Sequence, residues 1–288
     1  MTPGTANTPN VTGFRVDADG HLIPFDVTQP IDPGPASGPA TGVSCTAAAA
    51  AGFSQLLTGD PTKAPADFQC GLNPPSFPRS PAQVQFTPDG QWLVVTVKGT
   101  NAIYVFPVQG DGTLGNPTIT QSTSALPTYF GMSFDRKGDL LATESFGASP
   151  TIPVGGQGAV SSFAITTNGH LAPISSHIGD GGTAACWIAL EPINGRFAYV
   201  SNNLSASISS YTVSAGGSLA LLNGAAAQAA GPNDLATATE GTASFLYVVA
   251  AGAGTVGAFQ INGDGSLTAI TGGSGLPANR SAQGLAAY

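Results

Sequence analysis

TVGAFQINGDGSL, residues 255 to 267, decides the fold, because its register can be laid over four other stretches of the chain. Counting from the aromatic Phe259, β-branched residues stand three positions back (Val256) and two on (Ile261), with glycine six on (Gly265) and leucine eight on (Leu267). The other aromatics are Phe14, Phe106, Phe163 and Tyr211, preceded by Val11, Ile103, Val160 and Ile208 and followed by Val16, Val108, Ile165 and Val213. The glycines are Gly20, Gly112, Gly169 and Gly217, and the leucines Leu22, Leu114, Leu171 and Leu219. Alternating apolar residues that end at Asp-Gly, Asn-Gly or Gly-Gly describe a strand entering a tight hairpin, since those pairs tolerate the positive φ of primed turns. Each copy is therefore a strand, a turn and the start of its partner.

The aromatics are spaced 92, 57, 48 and 48 residues apart. A period near 48 built of strands, with no helical unit between them, predicts the blades of a β-propeller. The spacing of 57 is one blade with an insertion, GASPTIPVGGQG over Gly147–Gly158, and the spacing of 92 is about two periods.

With 288 residues the length allows one large all-β domain or two ordinary ones, and the continuous repeat favours a single propeller domain over 1–288. Charged residues are 8% and hydrophobic ones 42%, with 39 glycines and 23 prolines, which suits short buried strands joined by turns. Sixteen acids against eight bases give a net charge of −8, so nucleic acid is not an expected partner. The chain has no apolar run long enough to span a membrane, and MTPGTANTPN carries no positive n-region or apolar h-region, so neither a membrane span nor a signal peptide is expected. Few lysines and abundant Ala, Gly, Ser and Thr suit an exported bacterial protein. Of the three cysteines, Cys45 and Cys70 either pair, which would contribute roughly 3 kcal/mol, or stay as buried thiols; Cys186 is left over.

In chain order, residues 9 to about 25 hold only the last two strands of a blade. Residues 28–80 read as a Pro/Gly/Ala-rich surface insertion, in which Ala47–Leu57 allows a short helix. From Pro81 four complete blades of four antiparallel strands, a to d, follow in turn. The tail SAQGLAAY reads as an orphan strand a, which could join the N-terminal half blade and remove an exposed sheet edge. That half blade would still lack a strand, which suggests an N-terminally shortened propeller.

PDGQWLVV (88–95), GRFAYVSNN (195–203) and FLYVVAAG (245–252), each followed by a strand and an Asp-Gly-type turn before a leucine, resemble the seven-bladed lactonase-type propellers that include bacterial 6-phosphogluconolactonase. The resemblance covers roughly 9–27 and 79–288 and implies a propeller that is incomplete relative to seven blades. It also implies a secreted protein, extracellular or periplasmic, with a cytoplasmic one as the alternative. The family's histidines at the head of strand a are replaced here by Ser80, Pro81, Ala82 and Gln83, and its Pro-Arg-His by Pro127, Thr128 and Tyr129. Its Ser-Asn-Arg becomes Ser201, Asn202 and Asn203, its Gly-Pro-Arg becomes Gly231, Pro232 and Asn233, and the acid closing strand b of the second complete blade survives as Glu144.

Propellers bind ligands over the central channel, at the loops entering strand a and joining b to c. That places Glu144 as a candidate general base, with Asn202 and Arg79 as polarising partners; the plainer role for Glu144 is to cap a loop. Gln83, Tyr129, Trp187, Asn203, Asn233, Asp234 and Gln283 are candidate substrate contacts, Trp187 being either a stacking platform or a core residue. His21 and His170 follow turn glycines and His177 ends a strand d, so all are expected as exposed outer residues, and none has metal-ligand spacing. Asp19, Asp89, Asp111 and Asp264 fit as turn residues. No Gly-x-Ser-x-Gly elbow or phosphate-cradling loop is present, and neither a cofactor nor a metal is expected. The resemblance therefore implies a monomeric lactone hydrolase acting on a small lactone or sugar at the channel mouth; the alternative is a non-catalytic propeller binding a protein or glycan.

Overall fold

The computed structural model describes residues 10–31, 81–97, 100–122, 128–145, 147–148, 152–153, 156–277, 282 and 284–287. Most of the insertion expected over 28–80 therefore lies outside the described residues, with Cys45, Cys70, the 47–57 segment and Arg79; so does Gln283. Among the described residues no helix is long and apolar enough to cross a membrane.

The half blade is a hairpin of β1 (Asn10–Val16) and β2 (Leu22–Pro30). Blade 1 is β3 (Pro81–Phe86), β4 (Trp92–Val97), β5 (Ala102–Pro107) and β6 (Thr118–Gln121). Blade 2 is β7 (Tyr129–Phe134), β8 (Leu140–Glu144), β11 (Ala159–Ile165) and β12 (Leu171–Gly179). Its insertion carries a separate small hairpin, β9 (Gly147–Ala148) with β10 (Ile152–Pro153). Blade 3 is β13 (Ala185–Leu190), β14 (Phe197–Asn202), β15 (Ser207–Val213) and β16 (Leu219–Gln228), and blade 4 is β17 (Pro232–Glu240), β18 (Ala243–Ala250), β19 (Thr255–Ile261) and β20 (Leu267–Ser274). These are four complete antiparallel blades in sequence order, as the repeat predicts. The inner strands β3, β7, β13 and β17 lie side by side and form the channel wall.

The repeated motif is the interblade core. Phe163 packs with Val94 and Val105 of blade 1, Tyr211 with Leu141 and Val160 of blade 2, and Phe259 with Tyr199 and Ile208 of blade 3. In blades 2 to 4 the aromatic thus faces the preceding blade, and the apolar side of each sheet is buried by its neighbour. All five motif glycines have φ between +79 and +86, as the turn chemistry requires. The turns are nevertheless not primed: each is closed by an N–H of the glycine to the carbonyl three residues back, as in Gly265 to Asn262, with the two central residues at ordinary negative φ. The glycine absorbs the handedness mismatch as a bulge after the turn, the alternative solution for a longer hairpin loop.

A polar device recurs beneath this pattern. Strand a of blades 1 to 3 is bulged near its start, and a hydroxyl from strand b accepts the freed N–H: Gln83 to Thr96, Gly131 to Thr143 and Trp187 to Ser201, at 3.2, 2.9 and 3.0 Å. Thr96 and Thr143 then donate to the carbonyls of Phe130 and Cys186 on the next blade's inner strand, at 2.6 and 2.8 Å. Gln83 adds a two-way clasp, accepting from the Met132 N–H (2.7 Å) and donating to the Met132 carbonyl (3.1 Å).

β7 passes close to β13 at Gly131, where an added Cβ would lie 2.5 Å from the Cys186 carbonyl oxygen and 2.7 Å from the Trp187 Cα. Both obstacles are backbone, so Gly131→Ala is expected to destabilise the protein by about 3 kcal/mol, read as a fall in the urea midpoint.

The tail departs from expectation. Residues 284–287 form no strand and do not join β1 and β2; they lie against β17, where the N–H groups of Gly284 and Leu285 donate to Asp234 Oδ2 at 2.8 and 3.1 Å. Gly284 has φ +90, which breaks an extended run.

Candidate functional site

Blade 2 contributes one side chain from each of its strands to a row along the edge where strand b ends and strand c begins: Tyr129, Glu144, Ser161 and His177. Glu144 ends β8 opposite Tyr129 on one side and Ala159 on the other. Its carboxylate is 1% exposed and does not line the channel. Ser161 donates to Glu144 Oε1 at 2.5 Å, and Ser161 Oγ accepts the backbone N–H of His177 at 3.0 Å. The His177 Nδ1 lies in ion-pair contact with Glu144 Oε2, while 44% of the histidine side chain stays exposed.

His177 is exposed on the outer strand, as expected, yet its ring also has a buried partner. It does stand near the end of strand d, but the β11–β12 pairing is bulged and His177 has φ +56, which brings its ring across strand c to the buried carboxylate. Such a backbone is uncommon for a non-glycine residue and is held only by its surroundings.

The electrostatics follow from burial. Desolvation raises the Glu144 carboxyl above the ordinary glutamate value, against the opposing pull of the Ser161 hydrogen bond and His177. Burial, with the Glu144 charge second, pushes the Tyr129 hydroxyl up to about 12, so Tyr129 remains a neutral phenol. Its ring is 6% exposed and meets Phe163 edge-on.

Asn202 sits in a separate cluster on blade 3. It is fully buried, its Nδ2 donates to Asp180 Oδ2 (3.1 Å), and Ser209 donates to the same oxygen (2.6 Å). Asn203 donates to Asn233 Oδ1 at 2.5 Å, and Asn233 donates to the Ala282 carbonyl, so both tie blade 3 to blade 4 and the tail. Of the candidate contacts, Gln83 and Trp187 do line the channel, a cavity of about 730 Å³ between the inner strands. Gln83 is committed to Met132, whereas Trp187 is half-buried and edge-on to Phe130. Near its far end the cavity is bounded by Arg136 and Glu191, whose carboxylate accepts the N–H groups of Ile193, Asn194 and Gly195 and caps its own turn.

The remaining acids behave as turn residues. Asp111 and Asp264 accept a side-chain and a backbone hydrogen bond from Thr113 and Ser266, which hold both carboxyls below their ordinary value. Asp17, Asp19 and His21 cluster in the exposed β1–β2 turn. Of the Glu144 row only Glu144 and Tyr129 stand as candidate site residues in the sequence, because nothing in a linear pattern marks the bulge beside His177.

Asp234 provides a pH test. Burial raises its carboxyl above the ordinary value of 3.8, outweighing the hydrogen bonds from Gly284, Leu285 and Leu235. A raised value means its stabilising contribution is complete below the ordinary value and is lost as pH climbs through the raised one. Relative to Asp234→Asn, the wild type is therefore expected to be more stable at pH 3.5 than at pH 7, measured as the difference in urea midpoints.

Residues 160–277 match the family model described as lactonase, 7-bladed beta-propeller. A search of the curated proteins finds no match. Among solved structures, the chain is similar to a candidate 6-phosphogluconolactonase from Bacteroides fragilis, with 18% identity, a TM-score of 0.59, and coverage of 91% of this chain and 63% of that one. A protein from Lactobacillus plantarum matches with 18% identity and a TM-score of 0.60 over 94% of this chain and 66% of its own. The periplasmic gluconolactonase of Pseudomonas aeruginosa matches with 19% identity and a TM-score of 0.54 over 70% of this chain and 56% of its own. The chain thus spans less than two thirds of the length of each of these relatives. The resemblance read from its motifs holds: residues 160–277 carry the signature of the lactonase seven-bladed β-propeller family, and the described blades have the fold of its solved relatives.

Proposed function

We propose that this protein opens a cyclic ester by hydrolysis, with His177 as the general base and Glu144 as the carboxylate that orients it. The carrying observation is the contact between the buried Glu144 carboxylate and a partly exposed imidazole. Glu144 is too enclosed to reach water itself, so the base role read for it from sequence passes to the ring it holds. His177 takes a proton from water as the oxygen attacks the lactone carbonyl carbon. The tetrahedral intermediate then collapses with cleavage of the ring C–O bond, and the proton returns to the departing alkoxide to give a hydroxy acid. The family match supports this substrate class. Proton release from a panel of sugar and aliphatic lactones tests it: catalysed opening is expected, and none with folded protein rejects the reading.

A second reading, a non-catalytic propeller that binds a glycan, is favoured by the half-buried Trp187 in the channel wall. It expects saturable quenching of tryptophan fluorescence by a sugar in a protein without turnover.

A further inference from the structure

We propose that Tyr211, on the neighbouring blade, is a positioning residue for the pair Glu144 and His177: its hydroxyl and that of Ser161 hold the backbone around His177 and so keep the imidazole on the buried carboxylate. This role rests on His177 being the base.

The repeat singles Tyr211 out. Of the five motif aromatics, Phe14, Phe106, Phe163, Tyr211 and Phe259, only Tyr211 carries a hydroxyl. Its ring does what the motif requires everywhere: it is fully buried and packs with Leu141 and Val160 of blade 2, a cluster that Ile178 joins. Phenylalanine fills the same place in the other copies, so packing does not account for the oxygen. A buried hydroxyl needs an acceptor. This one donates to the Ile178 carbonyl at 3.0 Å.

Ile178 follows His177 and is where β12 regains its register. Strand c pairs Ser162 with Ser175 and Val160 with Ile178, so Ser161 stands against two residues, Ser176 and His177. In that bulge the Ser161 hydroxyl accepts the His177 N–H at 3.0 Å, and one residue further on the Tyr211 hydroxyl takes the carbonyl. Ser161 Oγ also donates to Glu144, so one oxygen fixes both the carboxylate and the backbone of its partner. His177 has φ +56, a conformation that is costly for a residue with a Cβ and that persists only where the surroundings impose it. Ser161 of β11 and Tyr211 of β15 impose it from two blades. Burial, with the Asp180 charge second, holds the Tyr211 hydroxyl above its ordinary value, so it stays protonated and remains a donor. Releasing the Ile178 carbonyl lets the bulge relax toward extended backbone, which carries the imidazole off Glu144.

Tyr211→Phe keeps the ring and removes only the oxygen. It is expected to lower kcat for lactone opening at least about 10-fold with KM changed less than about 2-fold, and to move the His177 ring-nitrogen NMR signals of the free protein. Tyr199→Phe controls for a merely structural effect: the Tyr199 hydroxyl is also fully buried and donates to a backbone carbonyl at 3.0 Å, that of Gly265 in the β19–β20 turn. That variant should lower the urea midpoint about as much as Tyr211→Phe, yet keep the wild-type kcat and His177 signals. Wild-type kcat or unmoved His177 signals in Tyr211→Phe overturn the proposal, as does an equal loss of kcat in Tyr199→Phe. A wild type that opens no lactone rejects the hydrolysis reading alone, and the His177 signals of Tyr211→Phe then still decide whether Tyr211 holds the ring.

Discussion

The Glu144→Gln variant is expected to open lactones at least about 10²-fold more slowly than the wild type, and His177→Gln about 10²- to 10⁴-fold more slowly, the usual worth of a positioned base. Glutamine keeps the volume and can still accept from Ser161, so the fold should survive and KM should move little. What it removes is the charge that orients the imidazole. The double variant should be hardly worse than His177→Gln alone, because groups that act as a unit are not additive. The pH dependence separates this role from a packing role. The rate needs ionised Glu144, whose carboxyl burial holds above the ordinary value, as well as an unprotonated His177, so the acid limb of kcat/KM should shift in Glu144→Gln. Variants with wild-type turnover would remove both residues from the mechanism.

Alanine at Phe106 should cost about 3–5 kcal/mol, whereas the same change at Phe14 should cost about 1 kcal/mol or less, although the two hold the same place in the repeat. Phe106 is fully buried, packed with Leu93, Val95 and Ile31; Phe14 is 49% exposed because no blade precedes its sheet among the described residues. Denaturant unfolding of the two variants measures the difference. Equal losses would mean that Phe14 is covered in solution, and hence that another chain or segment seals that face.

Blade order, strand pairing and the turn glycines were legible from local chemistry. An apolar alternation must bury one face, glycine alone accepts the φ that closes each hairpin, and the five copies of the motif set the strand register. The candidate site was legible only in part. Glu144 stood out as an acid at the end of a strand b, but its partners could not be read, since His177 is 33 residues away and reaches it through a bulge that leaves no mark in a side-chain pattern. The tail illustrates the same limit. SAQGLAAY has the composition of an inner strand, yet Gly284 turns it and the buried Asp234 captures its N–H groups.

The sequence by itself determined the unit of this protein: a strand–turn–strand motif whose apolar positions repeat and whose faces can be buried only by stacking. Only the tertiary structure decided which copies of that motif are covered and which polar groups meet. Burial in a stacked array is a property of the neighbour and not of the residue, so Phe14 and Phe106, or Val84 and Met132, share one pattern and differ entirely in exposure.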